Sequence, residues 1–310
     1  MSRIPRLSKP PQSASYRPPN PDRPANTNRP PVQAPPKAPG ALGPPVPGHK
    51  QGKAPPLAQS NRPTPPLAMD KISTLTHGMP PQHVQSALEN GRLSSAFHRE
   101  GPQGHYHRPA DKNGGGALAV YTRAQGVEQS SWQAQGHGVG SNPNNVQLVL
   151  DPKLLQQGND WRASTTDNMG KVPGSTAKDQ AGLPQGNPLQ RTKPLWGKQS
   201  ETARNEALNT TVTGKKPHTQ NEQLHWEHIP LEGNLRGMVT TSPETFNQLM
   251  QTPGARQSGL RLPSGHNGIQ GLGTIPVGNQ RVPVVQTRPD ASQAKALELA
   301  GITDKDGKVR

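Results

Sequence analysis

LTHGMPPQHVQSALENGRLSS, residues 75–95, is the stretch on which the fold turns, because it follows a long stretch dominated by proline, polar residues and arginine. The run KISTLT, residues 71–76, alternates apolar and polar positions and predicts a strand ending at His77-Gly78. Pro80 and Pro81 suit the first turn of a helix, where a missing amide hydrogen costs nothing. Val84, Ala87 and Leu88 then recur at i, i+3 and i+4 on one face, and Asn90-Gly91 supplies a left-handed stop. Strand, His-Gly, helix and Asn-Gly thus follow within a few turns of chain.

Working outward, the N-terminal side cannot build a core. Of the 38 prolines, 20 fall in residues 1–66, with ten Lys or Arg against the single acid Asp22. Repeats such as RPPVQAPPK favour polyproline II, since proline fixes φ and removes backbone donors. Over the whole chain 28% of residues are hydrophobic and 3% aromatic, and mean hydropathy is −0.88. That is too little apolar surface for one large globule to offset chain entropy over 310 residues. The expected organisation is a disordered, basic, proline-rich leader over 1–66, a folded domain over 67–252, and a loop-rich extension with a short helix over 253–310. The leader is expected to be dispensable for catalysis, so that a chain beginning near Ala68 stays active. With no cysteine, disulfides, thiolate zinc sites and a cysteine nucleophile are excluded.

The C-terminal side carries the remaining elements. ALAVYT, residues 117–122, and VQLVLDP, residues 146–152, alternate as strands, the second placing Val146, Leu148 and Leu150 on one face. Residues 168–218 read as a long surface excursion. EQLHWEHIPLEGNLRGMVTT is strand-like at both ends, and in SPETFNQLMQ Ser242 caps a helix whose face is Phe246, Leu249 and Met250. Residues 253–289 read as loop, and DASQAKALELAG as a closing helix.

The order strand, His77-Gly78, helix, NGRLS, a strand ending in Tyr121, VQLVLDP, then Glu222 heading a late strand resembles the ADP-ribosyltransferase fold. The likeness is to the branch shared by diphtheria toxin and the poly(ADP-ribose) polymerases, whose signature is His, Tyr and Glu on three strands. THGMPPQHVQSALENGRLSS is similar to its first motif, and Tyr121 and Trp132, eleven residues apart in YTRAQGVEQSSW, match its aromatic pair. NEQLHWEHIPLEGNLRGMV resembles the third motif. The match runs over roughly residues 70–245, and departs from the family at Trp132, where a second tyrosine is usual, and at Met79, where threonine or serine is. It implies an α+β ADP-ribosyltransferase-like split β-sandwich with short flanking helices, and NAD+ as substrate.

In that family NAD+ loses nicotinamide through an oxocarbenium-like transition state, and the resemblance assigns the roles. His77 would bond a ribose hydroxyl, the Gly78 backbone the nicotinamide amide, and Tyr121 and Trp132 would sandwich the ring. Glu222 would accept from the ribose 2′-hydroxyl and face the developing positive charge. Glu227 is the alternative carboxylate, expected on the opposite strand face because an odd separation reverses the side chain.

Other chemistries fit less well. HYH at 105–107 and HWEH at 225–228 gather imidazoles without the helical His-x-x-x-His spacing, so no metal site is expected. Within WRASTTD, residues 161–167, the run STT reads as a polar loop or strand edge. No apolar run reaches the roughly 18–20 residues that cross a bilayer, and MSRIPRLSKPPQ lacks the apolar stretch of a secretory signal. The resemblance extends to bacterial type III secreted effectors. It implies a secreted monomer delivered into the host cytoplasm, a host acceptor protein such as ubiquitin or a small GTPase, and a secretion chaperone on the leader. The competing class is a non-enzymatic proline-rich scaffold or a basic nucleic-acid-associated protein. Against it, the leader holds one aromatic, Tyr16, so stacking interleaved with charge is missing.

Overall fold

Eleven strands and seven α-helices, joined by short 3-10 turns, appear in the computed structural model, which describes residues 52–100, 114–129, 142–158, 160–166, 171–183, 188–213, 221–258 and 268–310. In chain order they are β1 Ile72–Met79, α1 Pro81–Glu89, β2 Arg92–Ser94, α2 Ala96–Glu100, β3 Ala119–Gly126, β4 Val146–Leu150 and β5 Trp161–Ser164. There follow α3 Ala177–Ala181, α4 Pro188–Trp196, α5 Glu201–Val212, β6 Glu222–Trp226, β7 His228–Pro230 and β8 Leu235–Thr240. The last are α6 Pro243–Met250, β9 Arg256–Gln257, β10 Ile269–Val277, β11 Gln280–Thr287 and α7 Gln293–Leu299. The expected α+β class is what the elements form.

Nine strands hydrogen-bond in the order β5-β6-β3-β1-β4-β8-β11-β10-β9, and β2 pairs with β7 apart from them. β1 is the hinge of this arrangement. It pairs antiparallel with β3 through Thr76↔Arg123 and with β4 through Leu75↔Leu150, His77↔Leu148 and Met79↔Val146. One core takes residues from both halves of the sheet, among them Val120 and Trp161 from one side and Leu148 and Val284 from the other. A second, with Leu118, Leu224, Trp226 and Trp196, covers β3 and β6, and a third packs α7 against Val149, Val239 and Val285.

The strand β1 and helix α1 stand where residues 75–95 place them, with Gly91 at φ 64° after the helix. Ser242 caps α6 by accepting from the Thr245 amide at 3.1 Å. Two expectations change. Residues 168–218 contain α4 and α5, whose buried residues include Arg204, Asn205 and Leu208. Residues 253–289, read as loop, hold the β10–β11 hairpin, and β11 runs parallel to β8 through Val284↔Met238, so this part of the chain belongs to the main sheet. Residues 161–164 form β5 at the edge of the sheet, in keeping with the strand-edge reading of Ser164, with Trp161 and Arg162 buried.

Residues 52–66, expected within the leader, lie along the domain as an extended strap. Prolines offer carbonyls but no amide hydrogens, so the donors must come from the partner. α5 supplies them: Asn205 Nδ2 donates to the Pro65 carbonyl and Asn209 Nδ2 to that of Pro66, each at 2.8 Å. Arg162 Nη2 donates to the Pro55 carbonyl at 2.9 Å, Ala54 is buried in the second core, and the Ala58 amide donates to Gln199 O at 3.0 Å. The expected outcome of a chain beginning at Ala68 is therefore a loss of about 2 kcal/mol in unfolding free energy relative to one beginning at Gly52, since several buried donors lose acceptors. Urea unfolding of the two checks this, and equal midpoints would show the strap to be idle.

Candidate active site

β6, β3 and β1 are neighbours in the sheet, so the three strands that carry Glu222, Tyr121 and His77 lie side by side. The β3–β6 ladder runs Ala119↔Trp226, Val120↔His225, Tyr121↔Leu224, Thr122↔Gln223. Asn221 continues it by exchanging side-chain hydrogen bonds with both backbone groups of Ala124, which leaves Arg123 and Glu222 facing one another between these rungs. Thr76 opposite Arg123 brings β1 to the same level. His77 and Glu222 therefore differ by one rung along the strands. On the far side of β6, Glu222 pairs with Ser164. Its side chain is 9 % exposed.

The pleat sorts these side chains by face. Tyr121 pairs with Leu224, two residues from Glu222, so Tyr121 and Glu222 share the face of the second core. His77 pairs with Leu148 and belongs to the opposite face, with Thr122 and His225. The structure thus joins Tyr121 and Glu222 and sets the His77 side chain across the sheet from them. Past Thr76↔Arg123 the β1–β3 ladder ends. There His77 Nδ1 lies 2.5 Å from the Tyr121 carbonyl. A carbonyl only accepts, so Nδ1 carries the proton and Nε2 of the neutral ring is an acceptor. Gly78 lies level with Gln147 of β4, and Trp132 lies outside the described residues.

His225 is a neighbour that sequence reasoning did not single out as part of the site. Burial, and then the nearby His77, push its pKa down to about 3, and its Nε2 lies 2.9 Å from Thr122 Oγ1. It is neutral throughout the physiological range. The sign of the linkage follows. A histidine depressed in the folded state binds its proton only on unfolding, so its stabilisation is complete above the ordinary pKa of 6.5 and is lost as pH falls towards 3. At pH 5 the loss from His225 should be about 2 kcal/mol, and His225→Gln should flatten that part of the stability profile. A profile of the same slope in the variant would assign the acid sensitivity elsewhere.

Glu227 does not stand where strand alternation puts it. β6 ends at Trp226, and Glu227 has φ 57°, the left-handed region that non-glycine residues rarely occupy. The pleat is broken there. Trp226 Nε1 donates to the Gly52 carbonyl at 2.8 Å and Gly52 N donates to Glu227 Oε2 at 3.2 Å, so two consecutive side chains reach one strap residue. Glu227 is fully buried, 0 % exposed.

No family model and no curated protein matches the chain. Among solved structures it is similar to Thermus sp. 2.9 DarT in complex with NAD+, at 10% identity and a TM-score of 0.30, over 57% of this chain and 86% of that one. It is also similar to Thermus sp. 2.9 DarT in complex with carba-NAD+, at 10% identity and a TM-score of 0.29, with the same coverage.

Proposed function

We propose that the chain is an NAD+-dependent mono-ADP-ribosyltransferase. The observation that carries this reading is the adjacency of β1, β3 and β6, with His77 and Glu222 one rung apart and the His77 ring seated on the carbonyl of Tyr121. The substrate would lie where β1 and β3 part, past Thr76↔Arg123, where one ligand could meet a side chain from each face.

In this site His77 Nε2 accepts from a ribose hydroxyl, held by the bond from Nδ1 to the Tyr121 carbonyl. Tyr121 offers a ring on the Glu222 face for nicotinamide to lie against. The bond between the ribose anomeric carbon and nicotinamide breaks, its electron pair leaving with nicotinamide, and Glu222 places negative charge beside the oxocarbenium. A nucleophile on the acceptor then bonds to that carbon and gives up its proton. The acceptor is proposed to be a host protein, with ubiquitin or a small GTPase as candidates. The chain would be a monomeric effector delivered into the host cytoplasm, its leader serving export and chaperone binding. Among the described residues no helix is long and apolar enough to cross a membrane.

Incubation of the full chain with biotin-labelled NAD+ and host lysate, followed by mass spectrometry, tests the reading. The expected result is a labelled acceptor carrying one ADP-ribose. Absence of both labelling and nicotinamide release would overturn it.

A further inference from the structure

His98, Glu227 and His228 come together from two distant segments, and their ligand atoms all lie within 4.8 Å of one another. The fold builds this deliberately close approach from backbone. β2 pairs with β7 through Ser94↔His228, the Ser95 amide donates to the Glu227 carbonyl at 2.9 Å, and the Ser95 carbonyl starts α2 by accepting from the His98 amide at 3.1 Å. The two imidazole rings stand 4.3 Å apart between centroids. We propose that these three side chains form a binding site for a single divalent transition-metal ion of the zinc class.

The spacing of the ligand atoms suits such an ion. His98 Nε2 and Glu227 Oε2 are 3.4 Å apart. Two ligands each about 2.0–2.1 Å from a tetrahedral ion stand about 3.3–3.4 Å from one another, so this edge already has the required length. The third ligand atom lies within 4.8 Å of the other two.

The carboxylate by itself also calls for a partner. Glu227 is 0 % exposed, and its Oε2 accepts from Gly52 N. Its Oε1 is buried and has no hydrogen bond among the described residues. A buried carboxylate oxygen left without a partner is costly. His98 Nε2 lies against Oε2 and leaves Oε1 unmet. A dication held between the two imidazoles and the carboxylate gives both nitrogens and the carboxylate a partner. Gly52 N and the strap would then hold the ligating carboxylate in place, as outer-shell donors do.

Donor chemistry selects the metal. Two imidazole nitrogens and one carboxylate oxygen suit Zn2+, or Co2+ in its place, and not Mg2+ or Ca2+, which take oxygen ligands. Three protein ligands leave a fourth position for water. This site is independent of the proposed transferase chemistry, and it gives Glu227 an occupation other than facing NAD+.

The test uses the full chain, stripped with a chelator and titrated with Zn2+ and, separately, with Co2+. The expected result is uptake of one equivalent at micromolar metal or tighter, a rise in melting temperature on Zn2+ addition, and the visible absorption of low-coordinate Co2+. Glu227→Gln and His228→Gln should each weaken uptake at least about 100-fold, since even outer-shell changes reach that size. His83→Gln, outside the cluster, should not. If the wild-type chain takes up no metal, or if the ligand variants take up as much as wild type, the site does not exist. The wild-type titration decides the matter even if a variant fails to fold, and nicotinamide release, measured in parallel, reports on the transferase reading separately.

Discussion

Glu222→Gln should bind NAD+ almost as the parent does while transferring ADP-ribose about 10²–10³-fold more slowly, a loss of about 2.7–4 kcal/mol in transition-state stabilisation. The amide keeps the shape and one acceptor oxygen of the carboxylate, so ground-state contacts survive. What it removes is the negative charge, and that matters only when the ribose becomes cationic. Glu222 is placed for this by the sheet itself, as the first residue of β6, sharing a face with Tyr121 and one rung from His77. Glu227→Gln is the informative companion. It should act on metal uptake and stability and leave the chemical step of the folded protein intact. NAD+ affinity and single-turnover rate measured for both variants separate the cases. A fully active Glu222→Gln beside an inactive but folded Glu227→Gln would move the carboxylate assignment five residues along the chain, and two active variants would remove it.

The stretch at residues 75–95 was legible because its signals are local. A two-residue alternation, a proline at the helix start and a glycine at φ 64° each act over a few residues, and the structure places β1 and α1 accordingly. α5 was hidden for the opposite reason. The side it buries is Thr202, Arg204, Asn205 and Thr211 as much as Leu208, because its partner is a strap of prolines that needs donors and not oil. A helix that buries polar residues shows no apolar stripe. The β10–β11 hairpin was masked by glycines and prolines, residues that ordinarily mark loops. Gly271 is there because a Cβ would stand 3.0 Å from the Phe246 ring, and Gly273 because one would collide with Met250. Both mark where α6 presses closest on β10.

At the site, sequence order supplied which strands carry His77, Tyr121 and Glu222, but not the pleat that puts His77 on the other face. Alternation also misplaced Glu227, since a single left-handed residue after Trp226 resets the facing of everything beyond it. His225 went unnoticed as a neighbour of His77 because they lie 148 positions apart and meet only through β3. The cluster of His98 with Glu227 and His228 escaped a search by spacing for the same reason: its two halves meet through the β2–β7 pair.

Trp226→Ala should lower the unfolding free energy by about 3–5 kcal/mol, the usual cost of deleting a large buried ring. Trp226 is 1 % exposed, meets Trp196 edge-on with ring centroids 5.0 Å apart, and donates from Nε1 to the Gly52 carbonyl. Three effects therefore fall together. A cavity opens in the second core, an aromatic pair is lost, and Gly52, the strap residue that also bonds Glu227, loses the donor to its carbonyl. Trp226→Phe divides them. It restores most of the buried area and keeps a ring against Trp196, but leaves the Gly52 carbonyl without its donor. Its cost should be about 1–2 kcal/mol, part lost hydrogen bond and part unfilled volume. Urea unfolding of both variants gives these differences, and amide hydrogen exchange at Gly52–Ala58 shows whether the strap follows. Exchange should quicken in both, more in the alanine variant. If Trp226→Phe were as unstable as Trp226→Ala, the bond to the strap would outweigh the ring. If strap exchange were unchanged in both, residues 52–58 would be held by partners other than Trp226, among them Arg162, Gln199 and Glu227.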